Sequence, residues 1–247
     1  TGKFPLILSD SQNPVSPILL WGDSHAESLT PAFEALCREQ NLNAFYATRS
    51  ATPPLLDTNF YPGDQEVAPF NDRVLELIDS HKIETVVLVA RWTRYLKQGE
   101  QSRKTSLTDR DSAERHPDVV FEDSLQKTVA ALRERNIRVF IIRQVPLQYR
   151  SPPAALWISS WSKLSADKTG IAVSDHLANQ ERADRIIRSV AAPKVFILDP
   201  LSALQMENGR TRTQLGDDIF YYDTNHLSKA GARFIAPLFE PAFSPSR

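Results

Sequence analysis

Short apolar runs alternate along the chain with longer amphipathic segments. Five of these runs are long enough to form a strand, and they lack regular polar alternation: residues 17–21, 43–47, 85–90, 138–142 and 194–198. Continuous apolar runs of this length are typical of parallel strands that are covered on both faces. The pattern therefore predicts a buried, five-stranded parallel sheet.

The segments between these runs have the periodicity of helices. They cover residues 27–40, 70–81, 122–136 and 174–190. In the third of them Leu125, Val129 and Leu132 recur at helical spacing and define one apolar face. Strands that alternate with helices predict an α/β fold of three layers joined by right-handed crossovers. Five strands favour the flavodoxin-like order 2-1-3-4-5.

Two segments do not follow this alternation. Residues 97–118 are polar and charged without an apolar period, which predicts a long surface loop or insertion. Residues 147–164 contain Pro152, Pro153, Trp157 and Trp161, and they are interpreted as a shaped loop or a short helix. Neither segment resembles a linker, so we expect a single domain over residues 1–247.

Composition narrows the possible classes of function. The 247 residues include 29 basic and 30 acidic side chains, for a formal net charge of −1. Such a balance favours neither a nucleic-acid-binding surface nor an acidic disordered tail. The longest apolar runs fall far short of the roughly 18 residues that span a bilayer. The only cysteine, Cys37, lies on the apolar face of a predicted helix, where we expect it to be buried.

The first cluster of reactive side chains directly follows the first predicted strand. The sequence "WGDSHAES" places Asp23, Ser24 and His25 at the turn into the first helix. In open α/β sheets this crevice is where ligands bind, and the helix N-terminus stabilises negative charge. Ser24 is therefore a candidate nucleophile. Asp23 and Ser24 are equally good helix caps, so this stretch alone leaves the choice open.

A second cluster, near the C-terminus, supplies what a nucleophilic serine needs. Asp223 and His226 stand three residues apart in "YYDTNHLSKAGA". In a turn this spacing brings both side chains to one side, so that the carboxylate binds one imidazole nitrogen and the other can take a serine proton. A surface Asp–His pair is the simpler alternative. A metal site is a weaker alternative, because the remaining histidines lie in unrelated polar contexts.

The two clusters, together with "VVLVARWTRY" (residues 86–95), resemble the SGNH (GDSL-type) hydrolases, and in particular the SGNH domains fused to acyltransferase-3 membrane proteins. The resemblance implies the SGNH hydrolase fold, with Ser24 as nucleophile, His226 as base and Asp223 as the residue that orients the base. It further implies a periplasmic C-terminal part of a larger membrane protein, tethered to the inner membrane. No metal or cofactor is expected, since the acyltransferase-3 domain of the same chain would deliver the acetyl donor.

The chain departs from the SGNH pattern at the oxyanion hole. Ser50 stands near the position of the family's Gly, and Arg91 or Trp92 stands where the family has Asn. We expect the Ser24 backbone N–H and donors from Ser50 or Arg91 to replace them. His25 is interpreted either as a substrate or supporting contact or as a plain helix residue. For Trp92, Tyr95, Trp157 and Trp161, both stacking on a sugar and packing in the core remain open.

The function expected from this resemblance is a serine-dependent O-acetyltransferase that acts on a bacterial surface polysaccharide of the O-antigen type. Two alternatives remain open: a stand-alone carbohydrate O-acetyl esterase, and a non-catalytic module that binds polysaccharide or docks on the membrane domain. The triad does not distinguish transfer from hydrolysis, because both proceed through an acyl-serine.

Overall fold

The computed structural model describes residues 6–7, 12, 14–96, 106–112, 114–161 and 169–244. The strands are β1 (Leu6–Ile7), β2 (Val15–Gly22), β3 (Asn43–Thr48), β4 (Thr58–Tyr61), β5 (Thr85–Val89), β6 (Ser106–Asp109), β7 (Arg138–Ile142), β8 (Val195–Leu198), β9 (Gln214–Leu215) and β10 (Asp218–Ile219). The helices are α1 (Ser24–Glu39), α2 (Val67–Ser80), α3 (Pro117–Glu134), α4 (Pro152–Trp161), α5 (Val173–Ser189), α6 (Leu201–Leu204), α7 (Lys229–Phe234) and α8 (Glu240–Phe243).

The main sheet has the order β1-β3-β2-β5-β7-β8. Five of these strands are parallel, namely β3, β2, β5, β7 and β8. The short strand β1 pairs with β3 in the antiparallel direction at the edge of the sheet. The parallel strands coincide with the five apolar runs, and their order confirms the predicted 2-1-3-4-5 arrangement.

Alternate residues of the strands bury the two faces of the sheet against different helices. Leu19 and Trp21 of β2 face the core beneath α2, α3 and α5, whereas Leu20 faces the core beneath α1 and the C-terminal helices. Every residue of β5 is buried, as expected for a central strand with both faces covered. Cys37 is fully buried on α1, as predicted.

The carboxyl ends of the central strands are level with one another. Gly22 of β2 pairs with Thr48 of β3 on one side and with Val89 of β5 on the other. A Cβ atom at Gly22 would lie 1.7 Å from the carbonyl oxygen of Val89, so only glycine allows this approach. The loops that follow β2, β3 and β5 therefore emerge side by side at one edge of the sheet.

The two segments outside the alternation contain more structure than expected. Within residues 97–118, β6 pairs with β4 in an antiparallel two-stranded sheet, and α3 already begins at Pro117. The prediction of a surface loop is therefore wrong for residues 106–109, where Leu107 is buried. Residues 97–105 and 113 lie outside the described part. In the second segment α4 confirms the short helix. No helix in the described ranges has the length and apolar character needed to cross a membrane.

Candidate active site

Ser24 is the first residue of α1, directly after the turn that ends β2. Asp23 is the N-cap of the helix: its backbone is extended, and its Oδ1 accepts a hydrogen bond of 2.8 Å from the N–H of His25. The N–H of Ser24 belongs to the first turn, where backbone donors have no acceptor within the helix. The side chain and the free donor of Ser24 thus share the positive end of the helix dipole.

Asp23 also fixes the loop that follows β5. Its Oδ2 accepts hydrogen bonds from the N–H of Arg91 at 2.9 Å and from the hydroxyl of Tyr95 at 2.6 Å. Burial, together with the adjacent carboxylate, raises the pKa of Tyr95 well above its usual value, so the hydroxyl keeps its proton and donates. Since both oxygens of the buried Asp23 are occupied, this residue is part of the framework around Ser24.

The structure brings the two distant clusters into contact. Ser24 Oγ lies 2.8 Å from His226 Nε2, and His226 Nδ1 lies 2.7 Å from Asp223 Oδ2. Each distance is that of a hydrogen bond, and the order Ser–His–Asp is the one in which enzymes with such a triad arrange a nucleophile, a base and an orienting carboxylate. The contact spans 202 residues of sequence and joins the end of β2 to the turn before α7.

The local turn holds Asp223 in its ionised form. Its Oδ1 accepts the backbone N–H groups of Asn225 at 2.7 Å and His226 at 2.8 Å. Partial burial alone would raise the pKa of Asp223, but these two N–H groups and the imidazole of His226 outweigh it and hold the pKa below its usual value. An ionised Asp223 keeps the proton of neutral His226 on Nδ1 and leaves Nε2 free to accept from the serine.

Packing between α7 and the preceding segment supports this turn. The hydroxyl of Ser228 caps α7 by accepting the N–H of Gly231 at 3.2 Å. A Cβ atom at Gly231 would lie 2.2 Å from the carbonyl oxygen of Phe220, so the helix approaches residue 220 as closely as glycine permits. The N–H of Tyr222 in turn donates to the carbonyl of His226 at 2.9 Å. The triad turn is thus closed on both sides by backbone contacts.

His25 lies buried beside the triad. Its Nε2 is 3.0 Å from Asn225 Oδ1, and its ring centroid is 4.9 Å from that of His226. Burial is the main cause that lowers the pKa of His25 below its usual value, against the opposing influence of Asp23. His25 is therefore neither a surface residue nor open to solvent, and it contacts the turn that carries the base.

Two of the residues expected to supply the oxyanion-hole donors, Arg91 and Ser50, lie at the carboxyl ends of the central strands, on the same edge of the sheet as Ser24. Arg91 is half-buried, and its Nε is buried without a hydrogen-bond partner among the described residues. Its charge interacts with those of Asp23 and Asp223. Ser50 is exposed and lies two residues beyond the end of β3, next to Arg49, whose N–H donates to the carbonyl of Gly22 at 3.1 Å. The following Ala51 has a φ of 56°, the left-handed conformation that favours glycine.

Trp92 lies elsewhere, which corrects its place among the expected site residues. Its side chain is fully buried, packs against Phe121, and donates from Nε1 to the carbonyl of Ile142 at 2.7 Å. It is a core residue because the short 3-10 helix Trp92–Arg94 turns it inward, away from the triad. Tyr95 is buried as well, whereas 67% of Trp157 is exposed. The side chain of Trp161 is outside the described part.

The arrangement offers little to a metal ion. Across the described ranges, no three His, Cys, Asp or Glu side chains are grouped closely enough to hold one. In the D-x-H stretch, Asp23 already binds three protein donors, and His25 points to an amide oxygen.

Sequence reasoning missed Asn225 altogether, and it considered Tyr95 only for sugar stacking or core packing and not as a partner of Asp23. Asn225 bridges His25 and Asp223, and Tyr95 anchors Asp23. The signal for Asn225 was its position inside D-x-x-H, where a small polar residue suits a tight turn. Tyr95 had no such signal, because its hydroxyl reaches Asp23 only through the fold.

Comparison with known structures shows the same fold in proteins of low sequence identity. The periplasmic domain of a lipopolysaccharide acetyltransferase from Salmonella ser. Paratyphi A is 18% identical with a TM-score of 0.68, covering 96% of this chain and 85% of that one. An acetyl xylan esterase, AlAXEase, is 14% identical with a TM-score of 0.55, covering 94% and 100%. A GDSL-like lipase from Bacteroides thetaiotaomicron is 12% identical with a TM-score of 0.52, covering 91% and 86%.

Comparison with curated protein sequences finds no match. The family model described as "SGNH domain (fused to AT3 domains)" matches residues 5–241, which is nearly the whole chain. The chain therefore belongs to the family of SGNH domains that are fused to AT3 domains.

Proposed function

We propose that this domain is a serine-dependent O-acyltransferase that moves an acetyl group onto a hydroxyl of a bacterial surface polysaccharide of the O-antigen type. The observation that carries the proposal is the unbroken chain of hydrogen bonds from Ser24 through His226 to Asp223, at 2.8 and 2.7 Å. The family adds the expected context, since its members are fused to AT3 domains. In this context the acetyl donor comes from the membrane domain of the same chain, on the periplasmic side, and no cofactor is needed.

In the first half of the reaction Ser24 Oγ attacks the acyl carbonyl carbon while its proton passes to His226 Nε2. Asp223 stabilises the resulting imidazolium, and His226 then gives the proton to the leaving group as the acyl-serine forms. In the second half a sugar hydroxyl gives its proton to His226 and attacks the acyl-serine. His226 returns that proton to Ser24 Oγ as the bond between the acyl carbon and the serine oxygen breaks, so that free Ser24 and the acetylated sugar result.

The negative charge that develops on the carbonyl oxygen needs donors, and Arg91 is the side chain best suited to supply one. Its guanidinium stays cationic, and its Nε lacks a partner among the described residues although it is buried. The backbone N–H of Arg91 is already used by Asp23, so only the side chain is available. Together with the N–H of Ser24, and with Ser50 at the rim, it takes the place of the family's Gly and Asn.

Hydrolysis is the second candidate function, and the exposure of the site favours it when no acceptor is bound. The side chains of His226 and Asp223 are 29% and 40% exposed. Water can therefore reach an acyl group on Ser24 and replace the sugar hydroxyl. We expect the isolated domain to be a slow acetylesterase and to transfer only when a polysaccharide occupies the rim.

The first experiment tests whether the triad is catalytic at all, with p-nitrophenyl acetate as the acyl donor. Ser24→Ala is expected to lower kcat at least about 1000-fold, because removal of a triad nucleophile leaves only the background of binding and oxyanion stabilisation. Ser28→Ala is the matched control, since Ser28 lies on the same helix and its hydroxyl donates within the helix to the carbonyl of His25 at 2.8 Å. Equal rates for Ser24→Ala and the wild type would refute the proposal and favour a non-catalytic binding module.

The second experiment separates transfer from hydrolysis. The complete chain with its membrane domain is supplied with an acetyl donor and de-O-acetylated polysaccharide, and the products are analysed by NMR. New O-acetyl groups on the sugar support transfer, whereas release of free acetate alone supports the esterase. Arg91→Gln in the same assay is expected to lower kcat about 100- to 1000-fold, the usual loss for one oxyanion donor.

A further inference from the structure

His25 is a buried histidine next to the proposed nucleophile that the mechanism above does not use. Only 3% of its surface is exposed, although it occupies the first turn of a helix whose start lies at the site. A buried histidine needs partners for its ring nitrogens, because an unpaired buried polar atom is costly. The partner of His25 lies in the triad turn, 200 residues away in sequence.

Asn225 connects His25 to the carboxylate of the triad. Its side-chain oxygen faces His25 Nε2 at 3.0 Å, and its backbone N–H donates to Asp223 Oδ1 at 2.7 Å. The side-chain nitrogen of Asn225 donates in turn to Thr224 Oγ1 at 3.2 Å, which leaves the amide oxygen toward the imidazole. In this orientation the amide oxygen accepts a hydrogen bond from His25 when the imidazole carries its proton on Nε2. The contact thus orients the ring and favours that tautomer.

The ring of His25 also supports the base itself. It packs against His226 at a centroid distance of 4.9 Å with an interplanar angle of 52°. The charged or titratable groups that act on it are Asp23, His226 and Arg91, and Arg143 lines the small cavity beside it. Burial keeps His25 neutral, so it adds no positive charge next to the imidazolium that forms on His226.

We propose that His25 is a positioning residue that holds the Asp223–His226 turn against the start of α1, acting through Asn225. Two side-chain hydrogen bonds then join helix and turn, one from Ser24 and one from His25. The first is broken each time Ser24 is acylated, because its oxygen loses the proton that His226 shares. The second persists through the cycle and keeps His226 in place for the second half of the reaction. This role rests on the proposed function of the triad.

The test compares three variants by hydrolysis of p-nitrophenyl acetate and by urea unfolding. His25→Leu removes the donor and is expected to lower kcat about 100-fold with KM little changed, since a displacement of about 1 Å costs that much. His25→Gln keeps an N–H donor of similar reach and is expected to recover most of kcat. His176→Leu is the matched control, because His176 is also buried, at 2% exposure, but lies on α5 away from the triad. We expect it to lose stability and keep kcat.

A rate for His25→Leu within about twofold of the wild type would overturn the positioning role while the triad itself stands. Failure of the triad is recognised separately, by a Ser24→Ala variant that hydrolyses as fast as the wild type. In that case side-chain NMR still tests the role of His25, because the NMR signals of the two histidines do not depend on catalytic activity. In the wild type at pH 7, His25 should be neutral and protonated on Nε2, and the Nδ1 proton of His226 should give a sharp signal. This signal of His226 should be lost in His25→Leu. An unchanged His226 signal in that variant would overturn the inference.

Discussion

Asp23 offers the sharpest test of how the site is held together, because one buried carboxylate joins three donors. Replacement by Ala removes the N-cap of α1, at about 1 kcal/mol. It also leaves the N–H of Arg91 and the hydroxyl of Tyr95 unpaired in the interior, at about 1–3 kcal/mol each. The expected loss of about 3–7 kcal/mol is a large part of the 5–15 kcal/mol that usually stabilises a folded domain. Asp23→Ser, which restores the cap but does not reach residues 91 and 95, should recover about 1 kcal/mol of it.

A double-mutant cycle with Tyr95→Phe isolates the 2.6 Å contact between the Tyr95 hydroxyl and Asp23. In the wild type this substitution should cost about 1.5–3 kcal/mol, as expected for a hydrogen bond to a charged group. In the Asp23→Ser background it should instead raise stability by about 1–3 kcal/mol, because it then removes a buried hydroxyl that has already lost its acceptor. Urea unfolding of the four proteins measures the free energies. Additive losses, with no coupling between the two positions, would refute the assignment of Asp23 as the hub of this framework.

Three further predictions follow from the contacts of the site and its support. Gly231→Ala should lower the free energy of unfolding by at least about 1–3 kcal/mol, as judged by the urea midpoint, because its Cβ would meet the carbonyl of Phe220. Trp92→Phe should lower stability and leave KM for the acyl donor unchanged; a raised KM would contradict its place in the core. Asp223→Asn should lower kcat by about four orders of magnitude. The stability that Asp223 adds should be present at pH 7 and lost as the pH falls below about 4, so urea unfolding of Asp223→Asn and wild type should converge there.

The strands were predictable because burial on both faces leaves an apolar run with few alternatives. The five runs match β2, β3, β5, β7 and β8, with ends that differ by at most two residues. Helix starts were less predictable. The helix predicted over residues 27–40 begins at Ser24 in the structure. The cap by Asp23 adds nearly one turn at its N-terminus, before the first residues of the apolar period. The pairing of β4 with β6 left no trace in the sequence, because two short strands from distant segments carry no common periodicity.

The candidate triad could be read from two motifs, but its surroundings could not. Motifs report residue types at fixed local spacing, whereas the direction of a side chain in a turn depends on packing. Arg91 and Trp92 are adjacent in sequence, and both were candidates for the same role. The 3-10 turn after β5 directs Trp92 into the core and leaves Arg91 half-buried beside the site. Which of the two side chains lies beside Ser24 is therefore decided by the tertiary structure and cannot be inferred from the sequence motif.

In the proposed mechanism the guanidinium of Arg91 takes the place of the amide of the family's Asn, and this exchange would have an electrostatic consequence for the whole site. A neutral Asn donor stabilises an oxyanion without altering the charge of the resting site. The Arg91 cation lies near two carboxylates, Asp23 and Asp223, and its charge offsets theirs while the acyl carbonyl is still neutral. In the proposed mechanism the same cation would stabilise the negative charge that appears on the carbonyl oxygen, and at a half-buried position that interaction is weakly screened. This distribution of charge requires His25 to be neutral, because a cation beside His226 would destabilise the imidazolium that the proposed reaction forms there. The proposal therefore makes the buried, uncharged His25 and the cationic Arg91 two parts of one electrostatic arrangement around Ser24.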